Sequence, residues 1–228
     1  MDIEHPATSR RGFMGRLAAA ASLLGFGVPA EAAAQRRRPQ PERGSNAPEF
    51  EEWLKGITGK HRQVFDATSV NEGAMLGYTR TWLATIKETY NLDDKDLTAV
   101  IILRHASIPL AFENPIWEKY KLGESYTLTD PATKAPAIRN YFARVNEGEL
   151  DRPDMAVEKL LERGVKIGVC NVALSNRSRR IAKAMSLDAD AVRKEWIANL
   201  FPGIIPVPSG VLAVHRAQEH ECTYLYCG

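Results

Sequence analysis

Apolar positions in this chain fall into two kinds of run. Short, nearly unbroken stretches occur at "RQVFDAT" (62–68), "LTAVIILR" (97–104), "VKIGVC" (165–170), "IIPV" (204–207) and "CTYLY" (222–226). Each predicts a strand, and "LTAVIILR", bounded by "NLDDKD" before it and a proline after, suits one covered on both faces. Between them the apolar residues recur every three or four positions. Met75, Tyr78, Trp82, Ile86 and Tyr90 predict one face of a helix, with Ser69 and Glu72 in the spacing of a capping box at its start. "PDMAVEKLLERG" predicts a helix with Pro153 near its start and Gly164 as its stop. "SRRIAKAM", "SLDADAVRKEWIANLFPG" with Ser186 as its cap, and "SGVLAVHRAQE" predict three more. Strands that alternate with helices imply a three-layer α/β/α fold with a mainly parallel sheet of about five strands. Residues 111–150 show no strand period and are expected to form broken helix and loop over one edge of the sheet.

The start of the chain has a different pattern. Arg10 and Arg11 follow Ser9, an Ala- and Gly-rich apolar run extends from Leu17 to Ala30, and Ala32 and Ala34 supply a small-x-small pattern before Gln35. That is the layout of a removable twin-arginine export signal. A membrane anchor needs ~20 predominantly apolar residues, and this run is shorter and ends at Pro29 and Glu31. The expected organisation is therefore a twin-arginine signal at 1–34, a flexible leader at 35–58 and an α/β domain at 59–228. The leader is Pro-rich and polar up to residue 48, and "EFEEWLKGI" then forms a short amphipathic helix that docks through Trp53, Leu54 and Ile57. This layout predicts a periplasmic or otherwise exported protein that engages the twin-arginine export machinery and has no membrane contact once the signal is removed.

Charge narrows the partners. The formal net charge is +2, and the three basic and three acidic residues of the first 34 cancel, so removing the signal leaves it unchanged. Such a balance offers no general polyanion surface, and no nucleic-acid partner is expected. No P-loop, glycine-rich dinucleotide fingerprint or Ser-His-Asp arrangement occurs, and no cofactor is expected.

Ligands of open α/β sheets gather at the carboxyl ends of the strands. Here those ends are Asp66–Ser69, Arg104-His105, Cys170-Asn171 and the turn that leads to Ser209 and Gly210. Cys170 is the candidate nucleophile. A helix that starts at Asn171 would favour its thiolate, Arg177, Arg179 and Arg180 lie near it in sequence, and His105 is the candidate to tune it. Asn171, Ser209 and Gly210 are candidate anion-binding residues, because free backbone N–H groups at a helix start favour an anion. A free cysteine is also often a small buried apolar residue, so both readings of Cys170 stand at this level.

"AVIILRHASIPLAF", "LLERGVKIGVCNVAL" and "FPGIIPVPSGVLAVHRAQEHECTYLY" together resemble the DsrE/DsrF-like family of sulfur-relay proteins over about residues 60–228. The resemblance implies a three-layer α/β fold, usually as a homo-oligomer. It also places Cys170 where active members carry a persulfide. On this reading Cys170 accepts sulfane sulfur from a donor or passes it to an acceptor or redox protein, and the 209–211 turn holds an oxyanion. The other reading is a binding or assembly module without turnover, so whether the chain is an enzyme stays open. Two departures stand out: the family's sulfur carriers work in the cytoplasm, and the leader and the insertion are longer here.

Three cysteines leave at least one unpaired or intermolecular. In one strand, Cys222 and Cys227 would stand ~16 Å apart on opposite faces, beyond the ~7 Å bridging limit between Cα atoms. Cys170 and Cys227 each end a strand, so a bridge between them depends on strand order. His105, His215, His220 and the cysteines show no metal-ligand spacing, and no metal is expected.

Overall fold

The computed structural model describes residues 47–144, 150 and 152–228. The expected export signal and residues 35–46 of the leader lie outside the described residues.

Five strands form one sheet: β1 (His61–Ala67), β2 (Leu97–Leu103), β3 (Lys166–Cys170), β4 (Ile204–Val207) and β5 (Thr223–Tyr226). The order is β4-β3-β2-β1-β5, and every pairing is parallel. The helices are α1 (Ala47–Lys55), α2 (Ala74–Tyr90), α3 (Asn114–Lys119), α4 (Leu122–Tyr126), α5 (Val157–Glu162), α6 (Asn171–Met185), α7 (Ala189–Ala198) and α8 (Gly210–Glu219). The fold is a three-layer α/β/α sandwich.

Handedness explains the layers. From β1 to β4 the chain steps along the sheet in one direction, so right-handed crossovers put α2 to α7 on one face. The step from β4 to β5 runs back across the sheet, and the same handedness sends α8 to the other face. Strand alternation fills both sides. Phe65, Ala99, Ile101, Leu103, Ile167 and Val169 join the larger apolar cluster, with Met75, Leu83, Trp117 and Trp196. Val64, Val100, Ile102 and Val207 join the smaller one, with Phe50 and Leu54 of α1 and Ala213 and Ala217 of α8. The α1 helix therefore packs on the α8 face, where Trp53 stacks near Phe50 and lies under the Lys166 ammonium, 5.2 Å from its ring centroid.

Several local expectations change. The α2 period is right, but its buried stripe is Met75, Leu76, Thr79 and Leu83. Tyr78, Trp82, Ile86 and Tyr90 share a face that lines a half-open cavity of about 470 Å³ with Gln63 and Leu225, beside the exposed β5 edge, and Trp82 and Ile86 also pack against the larger cluster. Ser69 and Glu72 form no capping box. Glu72 is left-handed (φ 51°) inside a 3-10 turn, and Gly73 starts α2 without a side-chain cap. Asp188, not Ser186, caps α7 by accepting from the Ala191 N–H at 2.7 Å, while Ser186 ends α6 at φ 56°.

The stretch after β2 is broken helix and loop, as expected, and it also supplies core. Ile108, Leu110, Phe112, Ile116, Trp117, Tyr120 and Phe142 are all buried in the larger cluster. Its backbone is satisfied by side chains, since Asn140 Nδ2 donates to the carbonyls of Leu110 and Phe112, and Trp117 Nε1 to that of Pro109. Phe112 meets Trp196 of α7 edge-on at 4.9 Å between centroids. A segment without regular period thus supplies core, because short helices and turns can bury aromatic side chains when their polar groups are paired.

All three cysteines are free. β2 and β1 stand between β3 and β5, which rules out a bridge from Cys170 to Cys227.

Candidate functional site

The chain leaves β3 into α6 on one face and leaves β4 into α8 on the other, so the carboxyl ends of these neighbours flank a topological switch point, where open α/β sheets hold ligands. Cys170 is the last residue of β3 and pairs in register with Val207 of β4. It is also the N-cap of α6, with Sγ accepting from the Ala173 N–H at 3.3 Å. A helix start favours negative charge on this sulfur.

Cys170 is 6% exposed, yet it belongs to neither apolar cluster. Cys222 lies in the smaller cluster and Cys227 in the larger, and burial pushes the thiol of each up to about 11. Cys170 thus differs from both in position and surroundings.

The same face and the same end of the sheet carry a polar network. Asp66 on β1 is buried, with a side chain 3% exposed. It accepts two bonds from Arg104, Nε to Oδ1 at 2.6 Å and Nη2 to Oδ2 at 2.8 Å, and a third from the Tyr224 hydroxyl at 2.9 Å. Leu103 pairs with Val169, so the next step of the ladder sets Arg104 beside Cys170. The two are close enough for an ionised Cys170 to help hold the guanidinium charge, although the Asp66 bonds are the main reason Arg104 lies above its ordinary range. On β5 the Tyr226 hydroxyl meets Thr68 Oγ1 at 3.1 Å.

Gly210 explains how Arg104 reaches this position. A Cβ on Gly210 would stand 2.8 Å from both Cβ and Cδ of Arg104, so the first residue of α8 is a clearance for the arginine stem. Ser209 is the N-cap of α8, its Oγ accepting from the Leu212 N–H at 3.1 Å. Asn171 is held from the opposite side by Arg193 of α7, whose Nη2 donates to its Oδ1 at 2.6 Å and whose Nε donates to Ser175 Oγ at 2.9 Å.

His105 is exposed in a left-handed turn (φ 61°), and its side chain has no hydrogen bond or ion pair among the described residues. Two of the three α6 arginines named above are engaged elsewhere. Arg177 lies over the Tyr126 ring at 5.3 Å, and Arg179 bonds Ser175 O and Asn176 Oδ1. The cation beside the thiol is Arg104, one residue before the histidine that sequence reasoning favoured. The signal for it was period two: in a strand ending "VIILR", Arg104 shares a face with Val100 and Ile102, and so with Asp66.

Among the described residues no group of three or more His, Cys, Asp or Glu is placed to hold a metal ion, and no helix is long and apolar enough to cross a membrane. No protein-family model matches the chain, and no curated protein matches it. Among solved structures, it is similar to a protein of unknown function, MTH1491 from Methanobacterium thermoautotrophicum, at 16% identity and a TM-score of 0.36, covering 73% of this chain and 98% of that one.

Proposed function

We propose that this chain is an exported DsrE-like protein that accepts or transfers sulfane sulfur through Cys170. The observation that carries the reading is the placement of this thiol. It sits at the switch point, capping α6 and beside a cation, whereas the other two cysteines are packed in apolar clusters. The Cys170 thiolate attacks a sulfane sulfur of a persulfide or polysulfide donor. A Cys170–sulfur bond forms, the donor's S–S bond breaks, and the shortened donor leaves with the electron pair. The resulting persulfide hands its terminal sulfur to an acceptor by the same exchange in reverse.

The test is mass spectrometry of the native protein after polysulfide treatment. Cys170 gains about 32 Da, one sulfur atom, and Cys170→Ser does not, while its circular dichroism and melting temperature stay near those of the parent. Equal loading of the variant, or none of the parent, overturns the proposal. The other reading, a binding or assembly module, draws on the half-open aromatic cavity between α2 and β5. A Cys170 that resists both alkylation and polysulfide at alkaline pH selects that reading.

A further inference from the structure

The guanidinium of Arg104 has two usable edges, and Asp66 takes only one. The bonds from Nε and Nη2 occupy the side-on edge, which leaves Nη1 and the second Nη2 hydrogen, the end-on fork, without a protein partner among the described residues. Nη1 is not sealed from solvent, and the Arg104 side chain is 26% exposed. A buried carboxylate thus fixes an arginine while the fork that matches two oxygens of an anion stays open. Asp66 is held in turn by Tyr224, and the Arg104 stem runs against Gly210, so the fork has little freedom to swing. The adjacent nucleophile belongs to a residue only 6% exposed, which favours a small donor over one carried on a folded protein surface.

We infer that Arg104 is the anion-binding residue of this site and that the sulfur donor is a small oxyanion whose sulfane sulfur is bonded to an oxidised, oxygen-bearing sulfur. The inference rests on the sulfur-transfer reading and adds the substrate class. The end-on fork of Arg104 holds two oxygens of the oxidised end, and the sulfane sulfur faces Cys170. The thiolate attacks that sulfur, a Cys170 persulfide forms, and the S–S bond breaks with its electron pair leaving on the oxidised sulfur. With thiosulfate as donor the leaving group is sulfite. Total charge is conserved, and no outside oxidant or reductant is needed. The side-on pair with Asp66 keeps Arg104 in place while the leaving group gains charge on the oxygens it holds.

The experiment uses thiosulfate as the probe, following Cys170 mass and released sulfite. The parent gains one sulfur per sulfite released. Arg104→Gln lowers that rate roughly tenfold or more, the loss of one charge-assisted bond, and Arg104→Lys recovers part of it. Removing Arg104 alone leaves Asp66 buried without its partner, so Arg104→Gln combined with Asp66→Asn is measured beside it as a neutral, foldable pair. A charge-specific readout separates binding from fold: Cys170 is alkylated with iodoacetate and with iodoacetamide, which differ in charge at nearly the same shape. The iodoacetate-to-iodoacetamide rate ratio falls several-fold in both glutamine variants. A parent that loads from polysulfide but not from thiosulfate, or variants with an unchanged ratio, overturns this inference and leaves the sulfur-transfer reading standing. A parent that loads from neither donor removes both.

Discussion

Gly210→Ala is the sharpest test of the arrangement around Cys170, because two opposite effects of known size meet at one atom. On an exposed helix, replacing glycine by alanine stabilises by about 0.5–1 kcal/mol, and less at the first helical position. Here the new methyl would stand 2.8 Å from both Cβ and Cδ of Arg104 and 3.3 Å from its Cγ, against ordinary carbon contacts of about 3.5–4.0 Å. A free arginine would swing away at little cost. This one is tied at its far end by two bonds to a buried carboxylate, so the stem cannot move without loosening Nε–Oδ1 and Nη2–Oδ2. Overpacking of that kind costs about 1–3 kcal/mol, which outweighs the helix gain. The net expectation is a loss of about 1–2 kcal/mol, seen in urea titration as a lower midpoint at unchanged slope and as a melting temperature lower by roughly 2–8 °C. In an Arg104→Ala background the same substitution has nothing to meet and becomes neutral or mildly stabilising, a coupling of about 1 kcal/mol or more. The iodoacetate-to-iodoacetamide ratio at Cys170 falls in Gly210→Ala alone. A single variant as stable as the parent with an unchanged ratio, or a cycle with no coupling, refutes the claim that Arg104 is fixed over Gly210.

Native alkylation at pH 8 with iodoacetamide modifies Cys170 first, because Cys222 and Cys227, with thiols near 11, hold only about a thousandth of their population as thiolate; peptide mapping that finds either of them labelled faster than Cys170 contradicts this. Asp130 is held below the usual carboxylate range, chiefly by its paired bonds from Arg139. A depressed folded value means that the ionised carboxylate stabilises the fold above its unfolded value and that this stability is lost as pH falls through the folded one. Asp130→Asn is therefore less stable than the parent at pH 7, and the gap narrows as pH drops below about 4 in parallel urea titrations; a gap that stays constant with pH counts against the pairing as its cause.

Fold class was legible because the apolar runs are local and strong. "LTAVIIL" and "KIGVC" are strands by composition alone, and their alternation with helical stretches admits few architectures. The α2 face was legible as a stripe, but how far it is buried was not, for a specific reason. Large aromatics marked the stripe, but a half-open cavity also takes aromatics, while the buried side needs the smaller Met75, Thr79 and Leu83 to fit against the sheet. The burial of the stretch after β2 was not legible because aperiodic segments bury aromatics through tertiary hydrogen bonds, such as those of Asn140, that leave no mark on local pattern.

Sequence by itself determined the element types, the residues at the carboxyl ends of the strands and the cysteine that opens α6, since each follows from residues adjacent in the chain. Only the tertiary structure decided which groups surround that cysteine. Asp66, Arg104, Gly210 and Tyr224 come from four separate parts of the chain, and they meet because strand order and crossover handedness bring them to one corner. Those two properties depend on how whole layers pack, and no short stretch of residues encodes them.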